Sequence, residues 1–139
     1  MSTILKFKEV RQVFFSRPAL SCKADDKVGD VLRLMNTNGT GSIVILNDNG
    51  EAEGIFTERD YMKKSLELTH ALELPISELM TPNPKTVPEN FRLDVAVGIM
   101  RLGKFRHLVV TEVDSKKVVG VVSMRDLFNY FCDLVTEEL

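Results

Sequence analysis

Apolar residues recur along this chain at two periods, and the switch between them marks out the elements. Val28, Val31, Leu32 and Met35 stand three or four positions apart, or adjacent, and Leu93, Ala96, Val97 and Met100 repeat that pattern. The spacing puts each set on one face of a helix, over about 27–38 and about 92–102. Asp25 and Asp26, and then Glu89 and Asn90, stand just ahead as cap candidates. Each helix is followed by two short runs rich in Val and Ile, 42–46 with 53–56 and 107–111 with 118–122, which predicts paired strands. Asn47-Asp48-Asn49-Gly50 is strong turn chemistry between the first pair. Short strands are expected ahead of the helices at 19–23 and 85–87. A second helix is expected after each pair, over 58–68 and from 124 to about 137.

The series therefore occurs twice. Gly54-Ile55-Phe56-Thr57-Glu58-Arg59-Asp60 returns 66 positions later as Gly120-Val121-Val122-Ser123-Met124-Arg125-Asp126. Upstream, the helix residues match at an offset of 65, as do Ser42-Ile43-Val44-Ile45 and His107-Leu108-Val109-Val110. The one-residue slip falls between the paired strands, where 47–50 faces the longer 112–117; a turn tip is where an insertion is tolerated best. Each copy reads β-α-β-β-α, and Pro75, Pro82, Pro84 and Pro88 punctuate the join. A unit of about 60 residues buries too little apolar area to be comfortable alone. The expectation is an α+β fold, two repeats packed through their sheets as one pseudo-two-fold module. Residues 1–17 would be an N-terminal segment packing on the module, 18–70 the first repeat, 71–83 a linker with the lead-in segment, and 84–139 the second repeat. The last helix is more apolar than one face requires. Phe128, Phe131, Leu134 and Val135 are expected to pack on the other unit or on a second copy of the chain.

Composition removes several classes of function. Of the 139 residues, 44% are apolar and 27% charged, the balance of an ordinary soluble globular protein. Eighteen Lys and Arg against twenty Asp and Glu give a net charge of −2, which argues against nucleic acid as a general partner. No apolar run approaches the roughly 20 residues of a bilayer span, and the first ten residues lack the apolar stretch of a signal peptide. A cytoplasmic protein with no membrane partner is expected. Cys22 and Cys132 fit no metal spacing, and each is expected to be a small buried hydrophobe. His70 and His107 are too few and scattered for a metal cluster. They also build no nucleophile–base pair, so no catalytic residues are expected.

The repeated heptad carries what chemistry there is. Thr57-x-x-Asp60 and Ser123-x-x-Asp126, each between a strand and a helix, read as capping boxes: the hydroxyl accepts from a first-turn amide and the carboxylate answers. The same corner can also bind a ligand. A helix N-terminus suits phosphate, and the hydroxyl adds a further group to bind it. Arg59 or Arg125 could add charge, and an Asp can accept from both hydroxyls of a ribose. Gly54 and Gly120 would let the backbone come close to a ligand. Capping has no use for the two arginines.

Gly-apolar-apolar-[Thr/Ser]-x-x-Asp, found twice in phase, resembles the nucleotide signature of the cystathionine β-synthase (CBS) domain. Ile76-Ser77-Glu78-Leu79-Met80-Thr81-Pro82 resembles the segment leading into such a domain, Thr86-Val87-Pro88 its first strand, and Phe105-Arg106-His107-Leu108-Val109-Val110 the approach to its second. The resemblance covers about residues 8–136 and implies a stand-alone CBS pair, or Bateman module. Such pairs usually bind adenine nucleotides in clefts between the units, here AMP, ADP, ATP or NAD(H) as a regulatory ligand. It implies Asp60 and Asp126 on ribose hydroxyls, Thr57 and Ser123 at the ribose or phosphate end, and Arg106 and His107 on phosphates. Arg59 and Arg125 would serve phosphates or face solvent. The strands at Cys22, Lys23 and Val87 would pass the base, partly through backbone groups. The first copy departs from the pattern, with Gly41-Ser42 where the second has Arg106-His107, so two unequal sites are implied. The family's habit of pairing modules implies a homodimer through the helices at 58–68 and 124–137, reporting to a separate, unknown protein effector. A structural dimer with vacant clefts, and an enzyme acting on nucleotides, are the alternatives.

Overall fold

The structure is a computed structural model and describes residues 8–13 and 19–138. The chain divides into two compact units. The first is Ala19–Pro84; the second joins Lys85–Leu139 to the N-terminal segment, of which 8–13 are described. Residues 1–7, 14–18 and 139 lie outside the described residues.

In the first unit, β1 (Ser21–Cys22) leads to α1 (Val28–Asn38), β2 (Ser42–Leu46), β3 (Ala52–Thr57), α2 (Glu58–Lys64) and β4 (Thr81–Pro82). The sheet order is β1-β2-β3-β4, with β1 parallel to β2 and the other pairs antiparallel. The apolar stripe of α1, Val28, Val31 and Met35, packs with Ile43, Ile45 and Phe56 of the hairpin and with Ile76 and Leu79. Gly39 ends α1 in the left-handed region at φ 62°, which costs a glycine nothing. At the hairpin tip, Asn47 Oδ1 accepts from the amides of Asn49 and Glu51, both at 2.9 Å. This is the side-chain turn chemistry the sequence shows there.

The second unit repeats the plan with β5 (Thr86–Pro88), α3 (Leu93–Gly103), β6 (His107–Thr111), β7 (Val118–Ser123) and α4 (Met124–Glu138). The sheet order is β5-β6-β7. Leu93, Ala96 and Met100 pack with Val87, Leu108, Val110, Val122 and Leu127. Where α1 ends on Gly39, α3 ends on Lys104 at φ 57°, a left-handed position that a side chain occupies at a steric cost. The fold is α+β, each repeat β-α-β-β-α as the hydrophobic pattern predicts.

Three local expectations are corrected. The residues ahead of the first helices do not cap them. Asp26 Oδ2 instead accepts from the Lys23 amide at 2.9 Å, and the N-cap positions fall to Lys27 and Arg92, with no side-chain bond. Main chain from a distant segment takes over that work. The Val28 amide donates to Leu74 O at 2.9 Å and the Leu93 amide to Lys8 O at 2.8 Å. Next, α2 stops at Lys64 and passes into a 3-10 turn, Ser65–Glu67, rather than running to 68. Neither piece has a buried residue to hold a longer helix, and helical stability in proteins comes chiefly from a packed face. Last, Phe131 packs against the second unit's own core and Leu134 is buried, which leaves only Phe128 and Val135 of the four named residues exposed.

The two segments that bond the helix starts are themselves related. Val10–Gln12 and Ile76–Glu78 are both 3-10 turns, 66 positions apart. Ile76 donates to Asp26 O at 2.7 Å and Ser77 to Ala24 O at 3.1 Å; Val10 donates to Phe91 O at 2.9 Å and Arg11 to Glu89 O at 3.1 Å. Val10 and Ile76 are fully buried in the respective cores. The repeat is thus longer than its apolar stripes reveal. Each unit is completed by a segment that precedes the other repeat in sequence.

Gly54 shows how closely the second of these segments approaches. A Cβ there would overlap Met80 Sδ and stand 2.9 Å from Met80 Cγ and 3.1 Å from Thr81 O. The open face of this glycine is filled by the protein's own chain, not left for a ligand. Gly54→Ala is expected to destabilise by about 1–3 kcal/mol through overpacking, and adding Met80→Ala should recover part of the loss. Thermal melts of the two variants check this; an unchanged melting temperature for Gly54→Ala would count against the close approach.

Candidate functional site

Each repeated motif forms a corner between a strand and a helix. In the first unit, Thr57 ends β3 in extended geometry, φ −128° and ψ 164°, and caps α2. The Asp60 amide donates to Thr57 Oγ1 at 3.2 Å, and the Thr57 amide donates to Asp60 Oδ2 at 3.0 Å. The hydroxyl itself donates to Asp60 Oδ2 at 3.2 Å. The second unit is built alike: the Asp126 amide donates to Ser123 Oγ at 3.0 Å and the Ser123 amide to Asp126 Oδ2 at 2.9 Å. Both are capping boxes, worth about 1 kcal/mol each by their hydroxyls.

A second strand closes each corner. The amide that opens α2, Glu58 N, donates to Gly41 O at 3.1 Å, and its counterpart Met124 N donates to Arg106 O at 2.9 Å. Ser42 lies across from Thr57, and His107 across from Ser123. The fold therefore brings Arg106 and His107 to the corner of Ser123 and Asp126, which their spacing of 17 and 16 positions from Ser123 could not by itself show. The first corner has Gly41 and Ser42 in their place. The Glu58 carboxylate covers Gly41, where a Cβ would stand 3.2 Å from Glu58 Cδ. One corner is thus framed by an exposed arginine and a half-buried histidine, the other by a carboxylate.

Beside the first corner lies an open groove of about 350 Å³ lined by Leu32, Met35, Asn36, Gly39, Thr40 and Glu58. Arg59 and Arg125 are both exposed, and the Arg125 guanidinium sits 5.9 Å from the centre of the Phe128 ring, a cation–π distance.

The residues on the first strands stand elsewhere. Cys22 pairs with Ile45, near the far end of β2 from Ser42. Lys23 extends further, its Nζ donating to Asn47 O at 2.9 Å with Asp48 Oδ1 at 3.7 Å. Neither lies at the Thr57–Asp60 corner of its unit. The side chains of Cys22 and Val87 belong to the two cores, so any contact they make with a ligand falls to their backbone. Burial pushes the Cys22 thiol up to about 12, with the negative charge of Asp26 adding to the effect. Cys132, by contrast, is exposed, which corrects the expectation that both thiols are buried. Its place on α4 puts it on the solvent side of a helix whose core contacts are Leu127, Tyr130 and Phe131.

Two residues that the sequence reading left without a role complete the first corner. Thr81 Oγ1 donates to Asp60 Oδ1 at 3.2 Å. Lys64 Nζ stands 4.0 Å from the same oxygen and donates to Leu79 O at 2.8 Å and Met80 O at 3.4 Å. The available signal was Lys64 four positions after Asp60, the spacing of a helical ion pair. Thr81 reaches Asp60 only through the pairing of β4 with β3. Among the described residues, no three His, Cys, Asp or Glu side chains gather as a metal site, and no helix is long and apolar enough to cross a membrane.

The comparisons with known proteins agree with this architecture. The family model for the CBS domain matches twice, at residues 10–67 and 76–133. An uncharacterised 17.7 kDa protein of Acidianus ambivalens is 30% identical over 114 residues, covering 82% of this chain and 68% of that protein. A Methanopyrus kandleri protein is 31% identical over 109 residues, 76% of this chain and 55% of its own length. A CBS domain protein from Pyrobaculum aerophilum, solved in complex with AMP, superposes with a TM-score of 0.77 at 24% identity, covering 93% of this chain and 99% of that one. The CBS domain pair of protein MJ0100, in complex with 5′-methylthioadenosine and S-adenosyl-L-methionine, gives 0.79 at 21% identity, covering 91% and 97%.

The two thiols should behave oppositely. Cys132 is expected to react with iodoacetamide near neutral pH in the native protein, and Cys22 only once the chain is unfolded. Mass spectrometry of peptides after native and denatured labelling reads this directly. Equal labelling of both thiols in the native protein would contradict the burial of Cys22.

Proposed function

We propose a function from one premise: this chain belongs to the CBS domain family. The reading is a regulatory module that binds an adenine nucleotide, AMP, ADP, ATP or NAD(H), and signals to a separate protein by a change of conformation. The observation that carries it is the duplicated corner. Thr57 with Asp60 and Ser123 with Asp126 each present a carboxylate and a hydroxyl at a helix start, held by reciprocal bonds. A carboxylate so fixed suits a ribose diol, and the first-turn amides suit a phosphate. That two CBS proteins of the same fold hold AMP in one case, and methylthioadenosine and S-adenosylmethionine in the other, supports the adenosine class.

Electrostatics separate the two corners. Arg106 and His107 adjoin the Ser123 corner through their backbone, and Arg125 lies in the first turn of the same helix, which favours a phosphorylated ligand there. Glu58 beside Gly41 makes the first corner less hospitable to phosphate. The positioned groups include no nucleophile with an adjacent base, so the reading is binding and signalling rather than turnover. A ligand that binds two conformations unequally shifts their populations, which is how such a module would report its occupancy.

A second reading, a structural or interaction homodimer with unoccupied clefts, is favoured by exposed apolar residues on the closing helices. Met62 and Leu66 are 69% and 89% exposed, and Phe128 is 55% exposed. Exposed apolar side chains gathered on these helices suit a contact between copies. Homodimerism belongs to both readings. Light scattering after size exclusion is expected to give twice the chain mass at micromolar concentration, and a monomer would remove the dimer from either.

Thermal shift with AMP, ADP, ATP, NAD(H) and S-adenosylmethionine separates the readings. A ligand at a hundred times its Kd adds about 2.7 kcal/mol to stability. Asp60→Ala and Asp126→Ala are expected to abolish the shift at their own sites. A shift retained in the double variant would refute the site, and no shift with any ligand would leave the structural reading.

A further inference from the structure

Asp60 is held by more than its cap. A carboxylate has about four acceptor positions. At Asp60, Oδ2 takes the Thr57 amide at 3.0 Å and the Thr57 hydroxyl at 3.2 Å, and Oδ1 takes the Thr81 hydroxyl at 3.2 Å. The Lys64 ammonium lies 4.0 Å from Oδ1 as well. A ribose gripped by both hydroxyls needs two acceptor positions, and only one remains. One of the present donors must therefore leave.

The Thr57 amide cannot leave cheaply, because its bond to Oδ2 is half of the capping box of α2, and the Thr57 hydroxyl is held beside Oδ2 by accepting from the Asp60 amide at 3.2 Å. Thr81 can. It is exposed and sits in β4, a two-residue strand at the edge of the sheet. We propose that a vicinal diol binds Asp60 by displacing the Thr81 hydroxyl, so that Thr81 sets the affinity of this half-site and ligand binding loosens β4. The inference rests on the nucleotide reading above and adds to it a specificity residue and a path for the signal. Lys64 marks that path, since its ammonium joins Asp60 to the carbonyls of Leu79 and Met80 just ahead of β4. Those residues belong to the segment that closes the first unit's core with Ile76 and Leu79. An exchanged bond at Asp60 is thereby felt where the chain leaves the first unit at Pro84.

The test is calorimetric titration of AMP into the full chain. Wild type is compared with an Asp126→Asn background, which leaves the Asp60 half-site, and with Thr81→Val and Thr81→Ser added to that background. Loss of a competing bond to a charged group is expected to tighten AMP binding about tenfold in Thr81→Val. Thr81→Ser keeps the hydroxyl and should match its parent. Hydrogen exchange at 79–83 should quicken when AMP is added to the parent and stay unchanged in Thr81→Val. Thr81→Ala serves in place of valine if valine lowers the melting temperature. Binding that Thr81→Val leaves unchanged or weakens overturns the exchange while the nucleotide reading stands. So does an Asp126→Asn chain that binds no AMP with or without the valine. If wild type itself binds no AMP and no other adenosine compound, the nucleotide reading falls, and this proposal with it.

Discussion

Each strand-to-helix corner rests on a pair of reciprocal hydrogen bonds, Thr57 with Asp60 and Ser123 with Asp126. Those bonds satisfy the orphan amides at the helix start and fix the direction in which the helix leaves the strand. They also immobilise a carboxylate at an exposed edge. Structure and candidate chemistry thus draw on the same oxygens, and the number of acceptor positions links the two. At Asp60 the protein itself takes three of about four positions, so under the proposed reading a ligand there would displace one of them.

The segments around 8–13 and 74–80 have a complementary role. The first helix of each repeat starts without a side-chain cap and receives a main-chain carbonyl instead, from Leu74 in one unit and Lys8 in the other. Burying Ile76 or Val10 alongside anchors the segment that carries the accepting carbonyl. The close passage of Met80 over Gly54 extends the same contact into the motif. A glycine that reads as space for a ligand is in fact space for a methionine, and the motif's first position serves packing.

Much of the fold was legible because its period is. The stripes at Val28, Val31 and Met35 and at Leu93, Ala96 and Met100 face the cores as their spacing requires, and the hairpins fall within a residue or two of the predicted runs. What failed was local and depended on remote partners. Asp26 looked like a cap and bonds Lys23 instead. Cys132 looked buried because its neighbours are apolar, yet α4 turns it to solvent. The helix expected over 58–68 shortens where no residue of 58–67 is buried, Leu66 being almost fully exposed.

The sequence by itself determined the two β-α-β-β-α repeats, their apolar faces and the paired Thr/Ser-x-x-Asp corners. These are consequences of spacing within a dozen residues, which hydrophobic burial and capping read directly. Only the tertiary structure decided that Arg106 and His107 stand at the Ser123 corner while Lys23 stands at the far end of its strand from Thr57. The same holds for the Thr81 hydroxyl bonded to Asp60. Strand pairing brings together residues that are far apart in sequence, and its register is set by the whole sheet and its core rather than by any residue's neighbours. For that reason the similarity of the repeats was visible in the chain, and the partners of Asp60 beyond its own motif became visible only in the fold.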